Sequence, residues 1–234
     1  MLLRWLRDRR RHALLERPFP PAWTRYLERN MGHYAALSER EQATLRELVQ
    51  VFVAEKHWEG CGGLELTDEI RVTIAGQACL LILGHDHDLY RKVDTILVYP
   101  RAVVPRRPTL AQAAAGTPTR GPMPVLGEAH VRGPVILAWD AALRGGRRPR
   151  DGHNLVYHEF AHKLDMLSGT SDGTPPLATR EELAAWVRVC TDAYRRVVAG
   201  GGPEVGERPV LRPYAGVNPA EFFAVATEAF FDVP

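Results

Sequence analysis

The fold prediction starts from one segment, which reads Asn154-Leu155-Val156-Tyr157-His158-Glu159-Phe160-Ala161-His162-Lys163-Leu164-Asp165-Met166-Leu167. Its apolar side chains recur near helical spacing, which predicts a helix packed into a core. Positions four apart lie above one another on a helix, so His158 and His162 present two imidazoles to one ion. Glu159 directly follows His158, and its carboxylate can there accept the proton of a water molecule bound to that ion. The pattern is typical of zinc metalloproteases, although two histidines on a buried helix are the alternative.

A catalytic zinc ion needs a third protein ligand, because such sites combine three ligands with one open position. Residues 219–231 predict a second buried helix, with Asn218 as N-cap and Pro219 at the first helical position. Glu221 is then the third helical residue and a candidate ligand. A capping box between Glu221 and Asn218 explains the same residue without a metal, and the pattern alone leaves both interpretations open.

Further motifs give the chain a family resemblance. Tyr214 lies seven residues before Glu221, which opens a Glu-Phe-Phe-Ala run. Other matching stretches are Pro18-Phe19-Pro20, Gly76-Gln77-Ala78-Cys79-Leu80-Leu81 and Gly133-Pro134-Val135-Ile136-Leu137. On these residues the chain resembles the Mlc titration factor A family of bacterial zinc peptidases. Its last segment is similar to the catalytic domain of anthrax lethal factor, a gluzincin.

The resemblance implies a role for each residue of the site. His158, His162 and Glu221 are the implied ligands of a Zn²⁺ cofactor. Glu159 is the implied general base, and Tyr214 the implied hydrogen-bond donor to the oxyanion. The implied fold is α+β and zincin-like: a small mixed sheet, an active-site helix and a glutamate helix.

Two functional hypotheses follow from the resemblance. The first is a zinc metallopeptidase that hydrolyses peptide substrates, with aminopeptidase and endopeptidase action both left open. The second is a regulatory binding protein, because the family resemblance implies association with the Mlc repressor of sugar-uptake genes. Such sequestration needs no catalysis, and the two functions are compatible.

Length and composition predict one domain, since 234 residues with 45% hydrophobic content can bury one sizeable core. We expect a helical N-terminal part at 1–60, a helix and sheet lobe at 61–140, and the two site helices within 141–234. The stretch 105–124 is rich in Pro, Gly, Thr and Ala, which predicts a flexible loop within the second part.

Charge and cysteine usage exclude several classes of partner. The net charge of +2 gives no argument for binding to nucleic acid. The sequence contains no run of about 18 apolar residues, so no membrane span is predicted. Three scattered cysteines favour a reducing compartment, which predicts a cytoplasmic protein. The basic N-terminus lacks the apolar core of a secretory signal. It fits either a solvated end or an arm that touches anionic lipid or an acidic partner.

Local patterns predict the remaining elements. Capping boxes at Ser38 and Thr179 start helices that run to about 56 and 198. The stretch 67–82 fits a helix or a strand, because its apolar residues satisfy both periods. Residues 94–99, 125–126 and 133–139 predict strands. The resemblance implies that the last of these is the edge strand that pairs with a peptide, although an interior strand fits the sequence equally.

A rival metal cluster lies at Gly84-His85-Asp86-His87-Asp88. Its two histidines share a face only in an extended chain, and the flanking Gly and Asp indicate a polar turn instead.

The residues around the ligands depart from the pattern of thermolysin-like gluzincins. Those proteins carry an Asp four residues after the ligand Glu, where this chain has Val225. Asp165 and Glu228 are candidates for orienting an imidazole, and an ion pair or a helix-end contact is the alternative for Asp165. The resemblance implies a further segment after the glutamate helix. If that segment normally covers the cleft, a chain that stops at Pro234 is expected to have a more open site.

Overall fold

The structure is a computed structural model that describes residues 2–85, 87–101, 133–148, 152–201, 204–205 and 208–232. The helices within these ranges are α1 (Leu2–Leu15), α2 (Pro21–Asn30), α3 (Glu39–Glu55), α4 (Asp68–Leu80), α5 (Trp139–Arg147), α6 (Leu155–Asp165), α7 (Arg180–Val198) and α8 (Pro219–Asp232). The strands are β1 (His57–Gly60), β2 (Thr95–Tyr99), β3 (Val135–Ala138), β4 (Glu204–Val205) and β5 (Arg208–Pro209).

The main sheet has the strand order β1-β2-β3, and both pairs run parallel. In the central strand, Ile96 and Val98 are fully buried, as expected for alternating residues that face a core. A mixed sheet was expected, but every strand that the structure describes in this sheet is parallel. Antiparallel pairing occurs in the described residues between β4 and β5, in a separate two-stranded ladder. The α+β, zincin-like fold class is confirmed.

Two predicted capping boxes are confirmed. The Ser38 hydroxyl accepts a hydrogen bond from the backbone N–H of Glu41, whose side chain accepts one from the Ser38 backbone in return. Thr179 and Glu182 make the same reciprocal pair at the start of α7. Each box satisfies backbone donors that a helix leaves unpaired at its first turn, so the starts of α3 and α7 are fixed locally.

The stretch that fitted either a helix or a strand is the helix α4. Thr67 caps it by accepting a hydrogen bond from the Ile70 backbone N–H. Val72 and Ile74 are both fully buried, although they lie on different faces of the helix. Because α4 is covered on almost every side, its apolar residues satisfy the strand period as well as the helical one.

The helix α5 was not predicted, and α2 lies in the part at 1–60 that was expected to be helical, although no local pattern indicated its ends. The sequence does not indicate α5, because this helix contains Gly145 and Gly146 and glycine is unfavourable in a helix interior. A Cβ atom at Gly146 would lie 2.4 Å from the Asn30 carbonyl oxygen at the end of α2. The glycine therefore permits a close backbone approach between the two helices.

The basic N-terminal segment is an attached helix and not a free arm. Arg7 donates to Asp88 at 2.8 Å, and Arg11 donates to Glu55 at 2.6 and 2.8 Å. These ion pairs join α1 to the end of α3 and to the 3₁₀ turn at His87–Tyr90.

Three apolar clusters position the elements that carry the predicted site. The largest includes the rings of Phe52, Tyr90 and Phe160, whose centroids lie 5.0 to 5.8 Å apart. In the second cluster, residues of α8 pack against the 3₁₀ turn Pro213–Gly216, which we call the tyrosine turn. In the third, Ala161 of α6 meets Phe223 and Ala224 of α8. The two helices that carry the predicted ligands are thus packed directly together.

Within the described ranges, no helix is both long enough and apolar enough to cross a bilayer. The predicted loop at 105–124 and the predicted strand at 125–126 lie outside the described residues.

Candidate metal centre

The helix α6 presents both histidines to one point. Its N-cap, Asn154, accepts a hydrogen bond from the Tyr157 backbone N–H at 3.0 Å, so the helix starts one turn before His158. The Nε2 atoms of His158 and His162 lie 3.2 Å apart, and their ring centroids 4.8 Å apart. This is the juxtaposition that the spacing of four residues predicted.

The helix α8 brings the Glu221 carboxylate to the same point. Asn218 caps this helix by accepting a hydrogen bond from the Glu221 backbone N–H at 2.9 Å, so half of the capping-box interpretation is correct. The Glu221 side chain points to the histidines instead of back to the cap. Its Oε2 lies 3.2 Å from His158 Nε2, and its Oε1 lies 3.6 Å from His162 Nε2.

The three side chains fit a tetrahedral cation. Their ligand atoms lie within 4.8 Å of one another, and they form the one His, Cys, Asp or Glu group of this kind in the described part of the chain. Two nitrogens bound to tetrahedral zinc at 2.0 to 2.1 Å are about 3.3 Å apart, which matches the 3.2 Å separation of the imidazoles. Glu221 Oε2 is buried, and its 3.2 Å contact with His158 Nε2 lacks the geometry of a good hydrogen bond. Such an atom is ready to accept a ligand bond.

The charges of the cluster are interdependent. Burial alone would lower the pKa of His158, but the carboxylates of Glu221 and Glu228 raise it to about 10. Burial would raise the pKa of Glu221, but the two imidazoles lower it to about 2. The charged forms of His158 and Glu221 therefore stabilise each other, with the imidazole as the cation and the carboxylate as the anion.

Glu159 lies beside this cluster with a 3% exposed side chain. Burial raises the pKa of its carboxyl to about 8, although the positive charge of His158 opposes the shift. A carboxyl group with a pKa near neutrality is suited to exchange a proton with a water molecule.

Tyr214 lies on the tyrosine turn, and its ring centroid is 6.2 Å from that of His158. Burial raises the pKa of its phenol, and the neighbouring Glu221 charge raises it further. The hydroxyl therefore keeps its proton and remains a hydrogen-bond donor at neutral pH.

Glu228 orients His158 from the side away from Glu221. It accepts a hydrogen bond from His158 Nδ1 at 2.9 Å and another from the Asn154 backbone N–H at 2.7 Å. A carboxylate on the outer nitrogen fixes the tautomer and the ring orientation of a ligand histidine. Val225, at the position of the thermolysin-type Asp, is buried in the apolar cluster between α8 and the tyrosine turn.

Asp165 does not orient an imidazole. It accepts hydrogen bonds from the Ser171 hydroxyl at 3.2 Å and from the Thr174 backbone N–H at 2.8 Å. The Nδ1 atom of His162 is buried without a partner among the described residues. Of the two alternatives left open for Asp165, the described contacts favour a structural role at the end of α6, where it holds the connector that follows.

Arg212 is a site residue that the sequence did not indicate. Its guanidinium donates to Glu228 Oε1, the same oxygen that faces His158. No local motif marks this arginine, because its partner lies on a different helix.

The rival cluster at residues 84–88 does not assemble a metal site within the described residues. Asp88 instead accepts from Arg7 and Arg11 at 2.8 and 3.1 Å, and Asp86 lies outside those residues. This agrees with the polar-turn interpretation.

The strand β3 lies at an edge of the sheet within the described residues, since β2 is the one strand paired with it there. Lys163 of α6 donates to the Gly133 carbonyl just before β3 at 2.9 Å. The segment that leads into the edge strand is therefore tied directly to the histidine helix.

Two imidazoles from one helix and a carboxylate from another, beside a small sheet, define the class as zincin-like metallopeptidases. The chain belongs to the family described as glucose-regulated metallo-peptidase M90, whose model matches residues 3–234.

Several curated proteins are similar over most of the chain. An uncharacterized protein of Synechocystis sp. is 39% identical over 230 residues, which cover 97% of this chain and 82% of the relative. Mlc titration factor A of Serratia proteamaculans is 32% identical over 199 residues, covering 85% of this chain and 74% of the relative. The protein of that name from Edwardsiella ictaluri is 32% identical over 203 residues, covering 86% and 75%.

Proposed function

We propose that the chain is a zinc-dependent peptidase in which His158, His162 and Glu221 hold the metal. The observation that carries this proposal is the convergence of three ligand atoms within 4.8 Å. The choice of zinc is supported by the two nitrogen donors and one oxygen donor, a set known from catalytic zinc sites. A zinc ion there would supply Lewis acidity that polarises a carbonyl group and acidifies a water molecule.

We assign three tasks to the residues around the metal. Glu159 takes the proton of the attacking water and delivers it to the leaving amine, which its raised pKa and buried position support. The protonated Tyr214 hydroxyl donates to the oxyanion of the substrate carbonyl. The edge strand β3 binds the extended peptide through main-chain hydrogen bonds.

The test combines metal analysis of the purified protein with cleavage of a peptide library. About one zinc ion per chain and metal-dependent peptide cleavage are the expected results. Unblocked and N-acetylated versions of each cleaved peptide separate the two modes of action. Aminopeptidase action requires the free amino group, and endopeptidase action does not. A protein that binds no metal at this cluster contradicts the proposal.

A second candidate function is regulatory binding, which the names of the Mlc titration factor A relatives favour. We propose that the chain also binds an Mlc-type transcriptional repressor, in the cytoplasm. The three scattered cysteines, which form no disulfide framework, support that location. Binding that persists in a Glu159→Gln variant without peptide cleavage would show that sequestration is independent of hydrolysis.

We further propose that residues 1–234 form one peptidase domain. The largest apolar cluster supports this, because it contains Leu27, Ile96 and Phe160 from the three predicted parts of the chain. A single cooperative unfolding transition is the expected measurement.

A further inference from the structure

We propose that Arg212 is a positioning residue that couples the tyrosine turn to the metal ligand His158 through Glu228. The inference deepens the proposed function and rests on it, since it concerns the same metal centre. It starts from a chain of three side chains from three elements. Arg212 precedes the tyrosine turn, Glu228 lies on α8, and His158 lies on α6.

The first step is the position of Glu228. Its side chain is 3% exposed, so its charge cannot be balanced by water. It accepts from the Asn154 backbone N–H, from His158 Nδ1 and from the Arg212 guanidinium. Of these donors, the guanidinium is the one whose positive charge does not depend on pH or on a bound metal ion. Without Arg212, a buried carboxylate would depend on one backbone amide and one imidazole.

The second step is the shared oxygen. Arg212 and His158 both contact Oε1 of Glu228, whereas Asn154 contacts Oε2. A guanidinium on Oε1 fixes the rotation of the carboxylate, because the Asn154 amide holds the opposite oxygen. The direction of the lone pair that meets His158 Nδ1 is therefore set by Arg212, although the arginine does not contact the imidazole.

The third step is the location of Arg212 in the chain. Its carbonyl accepts a hydrogen bond from the Ala215 backbone N–H at 2.9 Å, which closes the tyrosine turn. The turn also packs on α7, where the Tyr194 hydroxyl donates to the Gly216 carbonyl at 3.4 Å. The side chain of Arg212 thus holds the Glu228 carboxylate behind His158, and the backbone of the same residue starts the turn that carries Tyr214.

The test uses the full-length variants Arg212→Gln, Arg212→Lys, Glu228→Gln and the double variant Arg212→Gln with Glu228→Gln. Arg188→Gln and Glu65→Gln are the matched controls. Both residues are exposed, and these substitutions remove the same charges as Arg212→Gln and Glu228→Gln. Zn²⁺ affinity is measured by competition with a chelator, and the visible spectrum of the Co²⁺-loaded protein reports ligand geometry. Circular dichroism checks that each variant is folded.

Glu228→Gln should weaken Zn²⁺ binding by about 10- to 100-fold, as expected when the outer partner of a ligand histidine is changed. Arg212→Gln should weaken it by about tenfold, the low end of that range. The Arg212→Gln change should also shift the Co²⁺ spectrum and lower kcat with little change in KM. Arg212→Lys should restore most of the affinity, because it restores the charge on Glu228.

The double variant decides whether Arg212 acts through Glu228. Affinity no weaker than that of Glu228→Gln alone supports the proposal, because coupled residues are not additive. Fully additive losses overturn it, as does wild-type Zn²⁺ affinity and spectrum in a folded Arg212→Gln variant. A wild-type protein that binds Zn²⁺ but cuts no peptide contradicts the peptidase function alone, since the affinity and spectral measurements still test Arg212.

Discussion

The Nε2 atom of His158 lies 3.2 Å from the Oε2 atom of Glu221, across the packed contact between α6 and α8. In the metal-free protein this pair is stabilised by a proton, because the pKa of His158 is raised to about 10. A cation that occupies the same place must displace that proton.

We therefore expect zinc binding to release about one proton from His158 at pH 7, and a second where the carboxyl of Glu159, with a pKa of about 8, also ionises. Apparent affinity should rise with pH toward 10, by up to about tenfold per pH unit for each proton released. Isothermal titration calorimetry in buffers of different ionisation enthalpy measures this release. A binding heat that is the same in every buffer would show that the imidazole is already neutral.

The same pKa shift predicts how the stability of the metal-free protein depends on pH. A histidine whose pKa is raised from 6.5 to about 10 on folding stabilises the fold fully below pH 6.5. That contribution is lost as the pH rises through 10. Urea unfolding of the metal-free protein should show this loss, and a His158→Gln variant should show less of it.

Replacing Glu159 with Gln should lower kcat by about 10²- to 10⁴-fold, because the amide cannot accept the proton of water. Zinc content should stay near that of the wild type, since Glu159 is not one of the three clustered ligands. Metal analysis and peptide cleavage on one preparation measure both quantities. The Glu65→Gln variant, with its exposed side chain, is the control. Full activity in Glu159→Gln would remove Glu159 from the mechanism.

Replacing Tyr214 with Phe should lower kcat by about 10²- to 10³-fold, the typical cost of one oxyanion donor. The ring is retained, so zinc affinity and thermal stability should change little. Steady-state kinetics on a cleaved library peptide provide the measurement. A loss confined to KM would instead indicate that the hydroxyl binds the substrate in its ground state.

Replacing Gly146 with Ala should destabilise the fold by about 1 to 3 kcal/mol, although alanine is the better helix former. The added Cβ would lie 2.4 Å from the Asn30 carbonyl oxygen, a backbone atom that cannot move alone. Gly84→Ala is the control, because nothing lies within 4 Å of its Cβ position. Denaturant unfolding compares the two variants, and equal stabilities would show that α2 and α5 separate at little cost.

The sequence predicted the parts of the molecule that follow local rules. The capping boxes at Ser38 and Thr179 predicted two helix starts, and the spacing of His158 and His162 predicted their shared face. The roles of Tyr214 and Glu221 could be predicted only from the family resemblance, because a capping box explained Glu221 equally well. The structure shows that Asn218 caps the helix while the Glu221 carboxylate points to the imidazoles, so the two interpretations are partly compatible.

The features that were not predicted depend on contacts between distant residues. The two glycines in α5 made a helix unfavourable on sequence grounds. The requirement for glycine at position 146 becomes evident only in the fold, where α2 lies against it. Asp165 occupies a plausible position one turn after His162, but the connector at 171–174 provides better partners for it. Arg212 has no local signal, since its role depends on Glu228. Such residues are recognised from tertiary packing and not from periodicity.

The division of the ligands between α6 and α8 also constrains when the site can exist during biosynthesis. A ribosome makes His158 and His162 well before Glu221, so the nascent chain carries two imidazoles without the carboxylate that completes the cluster. The proposed metal site is therefore complete only after the later helix has docked on the earlier one. A chain that ended before Glu221 would lack the third side chain of that site.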